Sequence, residues 1–254
     1  MAAPKEKSTV ITAFVLDFET GGLDCQTCAA TQLSIHAVRL DTFQVMETFN
    51  HYIYPYRRQA EKKKVLRSKY ESEEQPFMDY QDRALEYSAI TMDMLRNMGE
   101  PLDAVCLEII EFFKRNTFHT KPSCKPIIVG QNILFDLGFL QQILIYTNMW
   151  KDFVKIVRGS KDFWGNFQPY YLDTIIFAQL ALSHNPEIAS WSLGDTSERL
   201  GIDLDDAHDA DADVIATKEV MRMLTQRMRN EEVADTVQAS GDVMKIKLRN
   251  HFKI

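Results

Sequence analysis

Long apolar runs are missing from this 254-residue chain, and with them any stretch able to span a bilayer. The opening Met-Ala-Ala-Pro-Lys-Glu-Lys has no apolar signal core, so the expectation is a cytoplasmic protein. Cysteine is scarce: Cys25, Cys28, Cys106 and Cys124 are too few and too scattered for a disulfide framework, which fits a reducing compartment. Cys25-Gln-Thr-Cys28 has a zinc or redox spacing, but no second matched pair completes a knuckle, and two plain thiols in a loop are expected. A surplus of positive charge is also absent, and the net charge of −7 excludes a generally basic wrapper of nucleic acid. No internal repeat and no Gly/Ser/Pro-rich linker divides the chain, so residues 1–254 read as one domain.

What is present supports a sizeable core: 45% of residues are hydrophobic and 26% charged, an ordinary globular balance. The charge is unevenly spread. Asp203, Asp205, Asp206, Asp209, Asp211 and Asp213 form a dense acidic stretch. Against it stand Arg57, Arg58, Lys62, Lys63, Lys64, Arg67 and Lys69, and a basic C-terminal tail at about 243–254. Acidic groups flanked by basic segments suit a metal-dependent enzyme acting on a polyanion, because cations need ligands and phosphates need neutralising.

Periodicity then lays out the elements. Residues 9–18 are β-branched and aromatic and read as a buried strand carrying Asp17 and Glu19 at its C-terminal end. Residues 32–40 and 45–54 follow as strands with a short link, which favours an antiparallel meander. Residues 126–130 are a further buried strand, and the four build a mixed sheet covered by helices. Helical spacing marks 90–98 after Ser88, 102–115 behind Pro101, 137–146, 193–200 and 210–228; residues 171–181 are a short strand running into a helix. The charged segment 56–81 reads as an insertion, either a mobile loop or a solvated helix. Its interleaved glutamates favour a solvated surface loop over a grip on a nucleic-acid backbone. Phe163, Trp164 and Phe167 are expected to pack in the ordinary way, with base stacking as the alternative. The alternating tail 245–254 is expected to be an edge strand, with partner or nucleic-acid binding as the alternative.

Three clusters carry chemistry. Asp17 and Glu19 alternate along a strand and point to one side of it, followed by Thr20-Gly21-Gly22, which permits a sharp turn. Asn132-Ile-Leu-Phe135-Asp136 follows a buried strand and opens an apolar helix. His208 precedes the last long helix and Asp213 lies in its first turns. Each has an ordinary reading as strand-end, capping or helix-start residues. Asp209 and Asp213 share a helical face, and spacing on the helix alone leaves both as ligands. Brought together by folding, the carboxylates make an oxygen cage for hard divalent cations, with a titratable histidine at its edge.

In order and residue type, Asp17-x-Glu19-Thr20, Asn132-x-x-Phe135-Asp136 and His208 followed five positions later by Asp213 resemble the DEDDh (DnaQ-like) 3′–5′ exonuclease family. Supporting similarity at 89–95, 172–174, 192–194 and 200–202 extends it over nearly the whole chain. The resemblance implies an RNase H-like α/β fold with a mixed sheet flanked by helices. It implies Asp17, Glu19, Asp136 and Asp213 as ligands of two Mg²⁺ or Mn²⁺ ions, which selects Asp213 over Asp209 and Asp211, and His208 as general base. Glu19 thereby joins the catalytic pair as well as the ligand set. Thr20, Gly21, Asn132 and Phe135 would meet the substrate, a single-stranded or frayed 3′ end of DNA or RNA, releasing nucleoside 5′-monophosphates. A polymerase or another protein is a further partner. Gly21 stands where many members have a second threonine.

Two rival readings remain. A non-cleaving nucleic-acid or polymerase binding module would not need all five active-site residues. A metal phosphohydrolase built on His208-Asp209 lacks further ligands, since His36, His51, His119, His184 and His251 offer no convincing partner set.

Overall fold

A computed structural model describes residues 10–59, 75–118, 121–183, 188–202, 209–230, 236–239 and 242–245. The apolar run at the start of the chain becomes β1 (Thr12–Thr20), which pairs antiparallel with β2 (Ala30–Arg39), itself antiparallel to β3 (Val45–Tyr52). On its other edge β1 runs parallel to β4 (Ile127–Gly130), and β4 runs parallel to β7 (Tyr171–Asp173). The result is a mixed five-stranded sheet in the order β3-β2-β1-β4-β7. Two short strands, β5 (Gly159–Lys161) and β6 (Phe167–Pro169), pair as a separate hairpin before β7.

Alternation along β1 divides the core in two. Phe14, Leu16 and Phe18 face one side, where helices α3 (Leu102–Arg115), α4 (Leu134–Tyr146) and α5 (Trp150–Ile156) cover them with Phe112, Phe113, Phe139 and Phe153. Ala13 and Val15 face the other, against Val214 and Met221 of the long helix α8 (Ala210–Asn230). Asp17 and Glu19 continue that second row, so the face that packs α8 becomes acidic at the C-terminal end of β1. Helices α6 (Thr174–Leu182) and α7 (Leu193–Leu200) pack with α8 through Phe177, Leu200, Val220 and Leu224. Among the described residues, no helix is long and apolar enough to cross a membrane.

Several expectations need correction. Ser88 does not open a helix: it closes α1 (Asp82–Tyr87), and α2 (Met92–Met98) starts behind Thr91, whose hydroxyl accepts from the Met94 N–H at 3.1 Å. The segment 56–81, expected as a mobile loop or a solvated helix, is anchored at its described ends. Tyr56 is buried; its hydroxyl accepts from the Ala30 N–H at 2.8 Å and donates to Gln142 at 2.6 Å. Met78 joins the same core, and Arg57 bridges Phe77 across the segment's two ends. Residues 60–74, with Lys62, Lys63, Lys64, Arg67 and Lys69, lie outside the described residues. Ahead of the tail, β8 (Thr236–Ala239) and β9 (Asp242–Lys245) pair with each other as a hairpin, and the edge strand expected over 245–254 lies, apart from Lys245, outside the described residues. All four cysteines are free thiols. The loop bearing Cys25 and Cys28 is held by Gln142, whose amide donates to both of their carbonyls.

Candidate active site

Register sets the site before any side chain is considered. Asp17 lies opposite Ser34, Glu19 opposite Gln32 and Val15 opposite His36 on the neighbouring strand β2. Cross-strand partners share a face, so β2 contributes a polar stripe of Gln32, Ser34 and His36 beside the two acids. The N-terminal end of α8 lies across both strands and brings in a second set of carboxylates.

The three aspartates of that helix end have different duties. Asp209 accepts from the backbone N–H of Asp211 (3.0 Å) and Ala212 (3.3 Å), capping α8, while its other oxygen accepts from the Gln32 amide at 3.2 Å. Asp211 accepts from the Ser34 hydroxyl at 2.8 Å and lies 3.0 Å from His36 Nε2. Asp213, one turn beyond Asp209, reaches β1: Asp17, Glu19 and Asp213 each offer a carboxylate oxygen within 4.8 Å of the others. The polar stripe thus pins the helix end, and Asp213 is carried to β1 by the next turn.

Asp136 stands behind this triad. It sits in the first turn of α4, is buried, and accepts from the Phe18 N–H at 2.9 Å, tying α4 to β1 between the two acids. Like charges crowd here in a poorly solvated space. Burial, then repulsion from Asp136, Asp213 and Glu19, holds Asp17 well above the usual carboxylate range. Burial and the Asp213 charge push Glu19 up to about 8. Burial likewise raises Asp136, against the opposing hydrogen bond from Phe18. Oxygen-only donors, close together and starved of water, are what a hard divalent cation requires, so the residues fit the Mg²⁺ or Mn²⁺ expected of them.

The remaining candidates have partners of their own. Thr20 is buried and its hydroxyl donates to the Gly22 carbonyl at 2.8 Å. Gly21 packs on the backbone of the 79–81 segment: a β-carbon there would stand 2.5 Å from the Asp79 carbonyl oxygen. That contact accounts for glycine at the position following Thr20. Asn132 is exposed, has φ 52°, and donates its N–H to the Asp173 carboxylate at 3.2 Å. Phe135 is half-buried against Phe139, with ring centroids 5.0 Å apart. His208 lies outside the described residues.

Two histidines set aside on sequence do have partners. His36 is buried with Asp211; burial lowers its pKa, opposed by the Asp211 hydrogen bond. His51 has Glu100 at 2.7 Å from Nδ1 and Glu108 at 3.6 Å from Nε2. His119, His184 and His251 lie outside the described residues. The signal for His36 was in the sequence: Gln32, Ser34 and His36 interrupt an apolar strand at every second position, which marks a polar face under a covering element.

No protein-family model matches the sequence, and no curated protein matches it. Solved structures do. Exonuclease I of E. coli in complex with a dT13 oligonucleotide superposes with a TM-score of 0.61 at 22% identity, over 86% of this chain and 42% of that one. The zinc ion bound form of the E. coli exonuclease I complex with single-stranded DNA gives 0.61 at 21% identity, over 87% and 41%. The likeness establishes the RNase H-like α/β fold, and the chain spans about two fifths of the length of these neighbours.

Proposed function

We propose that this chain is a metal-dependent 3′–5′ exonuclease that removes nucleotides from single-stranded 3′ ends. The observation that carries the reading is the meeting of Asp17, Glu19 and Asp213 at one point, with Asp136 behind them. Asp17, Glu19, Asp136 and Asp213 are the residues to hold two Mg²⁺ or Mn²⁺ ions. Such ions, when bound, neutralise the phosphate charge, favour deprotonation of water and stabilise the leaving oxygen. His208, next in sequence to the capping Asp209, is assigned as the base that takes a proton from the attacking water at its imidazole nitrogen. The water oxygen bonds to phosphorus, the bond from phosphorus to the 3′ oxygen of the preceding nucleotide breaks, that oxygen takes a proton from solvent while the imidazolium returns its own to solvent, and the products are a nucleoside 5′-monophosphate and a strand with a new 3′ hydroxyl.

The hydrogen bond from Phe18 N–H to Asp136 keeps β1 and α4 in fixed relation, so the two acids of β1 and the acid of α4 present a preorganised set. Asn132 is exposed and Phe135 half-buried just ahead of Asp136 in the chain, and Thr20 and Gly21 directly follow Glu19, which supports them as contacts for the terminal nucleotide. Single-stranded DNA is the first substrate to test, since the E. coli neighbours hold it. Matched DNA and RNA strands incubated with Mn²⁺ should release nucleoside 5′-monophosphates singly. Nucleoside 3′-monophosphates or internal fragments among the products would overturn the assignment.

A further inference from the structure

The hairpin formed by β5 and β6 carries Phe163 and Trp164 at its tip, 94% and 80% exposed. Large aromatics in that position gain nothing for the fold, and the expectation that they pack is wrong for these two. Only Phe167, the third of the group, is packed, edge-on to Trp150 at 6.4 Å. The tip is nevertheless rigidly made. Asp162 accepts from the N–H groups of Trp164 (2.9 Å) and Asn166 (2.8 Å) and from the Asn166 amide (3.1 Å), while Gly165 takes φ +86° to close the turn. The two rings stand at 89° with centroids 5.8 Å apart, so they offer faces in two directions.

The surroundings are basic in an acidic protein. Residues 151–162 hold Lys151, Lys155, Arg158 and Lys161 against Asp152 and Asp162, in a chain of net charge −7. Asp152 already pairs with Lys155 at 2.8 Å, and Asp162 is taken up by the turn. At the hairpin base a cavity of about 340 Å³ is lined by Ser123, Lys125, Arg158, Phe167 and Tyr170, with Arg158 stacked 5.3 Å over the Tyr170 ring. Exposed ring faces, cations and a cleft that combines both chemistries fit one class of ligand, a chain that alternates planar bases with phosphates. Its bases must be unpaired to stack, which excludes a closed duplex.

The hairpin is not part of the carboxylate site. It leads into the sheet at Tyr171, which aligns with Ile128 and through it with Phe14. Phe14 precedes Asp17 by three residues, so the entry point is about 10 Å back along the strands, toward the end opposite the acids.

We infer that Phe163, Trp164 and the adjoining Lys125–Arg158 cleft form a second binding surface for single-stranded nucleic acid, which holds a strand away from the site of cleavage. The inference shares a ligand with the proposed nuclease but does not require turnover. Anisotropy of labelled single strands in EDTA tests it on the full chain, comparing lengths of about 4 and about 30 nucleotides with wild type, the double variant Phe163→Ala/Trp164→Ala and the single variant Trp164→Tyr. The double variant should bind the long strand about tenfold more weakly, the short strand unchanged, with Trp164→Tyr restoring most of the loss. Unchanged affinity for the long strand in the double variant overturns the inference. Cleavage of the short strand with Mn²⁺ is read separately: normal cleavage with unaltered long-strand binding sinks this surface alone, and lost binding without cleavage in any variant sinks the nuclease assignment alone.

Discussion

Glu19 and Asp17 make the metal-free protein sensitive to base, and the size of the effect follows from the site. A carboxyl raised in the folded state from 4.5 to about 8 is happiest protonated. Its contribution to stability is therefore complete below pH 4.5 and is lost as pH climbs through about 8. At about 1.4 kcal/mol per pH unit that interval amounts to roughly 5 kcal/mol for an isolated group. Asp17, Asp136 and Asp213 share the same repulsion, and relaxation around them discounts the total to roughly 2–5 kcal/mol for the cluster. At roughly 2–4 °C per kcal/mol for a chain of this size, the melting temperature in EDTA should fall by about 4–20 °C between pH 5 and pH 9 on account of this site.

Divalent cations should reverse that trend, because they replace the protons. Calorimetric titration with Mn²⁺ at pH 6, repeated in buffers of different ionisation enthalpy, should report release of protons from the raised carboxyls, and fewer at pH 9 than at pH 6. Stabilisation by Mn²⁺ should be larger at pH 8 than at pH 5. A metal-free melting temperature that is flat from pH 5 to pH 9, or metal binding with no proton release at pH 6, would refute the crowded-carboxylate argument.

Two substitutions probe the supports of the site. Gly21→Thr places a β-carbon 2.5 Å from the Asp79 carbonyl and should destabilise by about 1–3 kcal/mol, seen as a lowered melting temperature; an unchanged value would mean that the 79–81 segment yields freely. His36→Ala removes the group 3.0 Å from Asp211 and loosens the start of α8, so the Mn²⁺ concentration for half-maximal activity should rise about tenfold, with partial rescue by His36→Gln. A lowered melting temperature without a change in metal requirement would reduce His36 to packing.

Much of the fold was legible because its strands are consistent at short range. Residues 9–18, 45–54 and 126–130 carry β-branched or aromatic runs whose partners hardly matter to their identity, and the apolar spacing of 102–115 fixes a helix without help. The acids of β1 could be placed on one face by alternation alone. What escaped depends on contacts between distant segments. Nothing near Tyr56 announces that its hydroxyl bridges Ala30 and Gln142, so the composition of 56–81 reads as a loop or solvated helix throughout. The need for glycine at position 21 comes from the backbone of the 79–81 segment, nearly sixty residues away, which no local pattern reveals. The sorting of Asp209 to a cap, Asp211 to His36 and Asp213 to β1 follows from how α8 crosses β2, which one strand's pattern hints at but does not determine. Exposure of Phe163 and Trp164 was hidden for the opposite reason: aromatic residues usually find a core, and here a tight turn holds them out.

The most direct trial of the account is shortening of a 5′-labelled single strand by the purified chain with Mg²⁺ or Mn²⁺, beside Asp17→Ala and an EDTA control. The expected result is a ladder receding from the 3′ end in the wild type, with none in the variant or in EDTA. An unshortened strand under either ion, or an Asp17→Ala variant as active as the wild type, would contradict it.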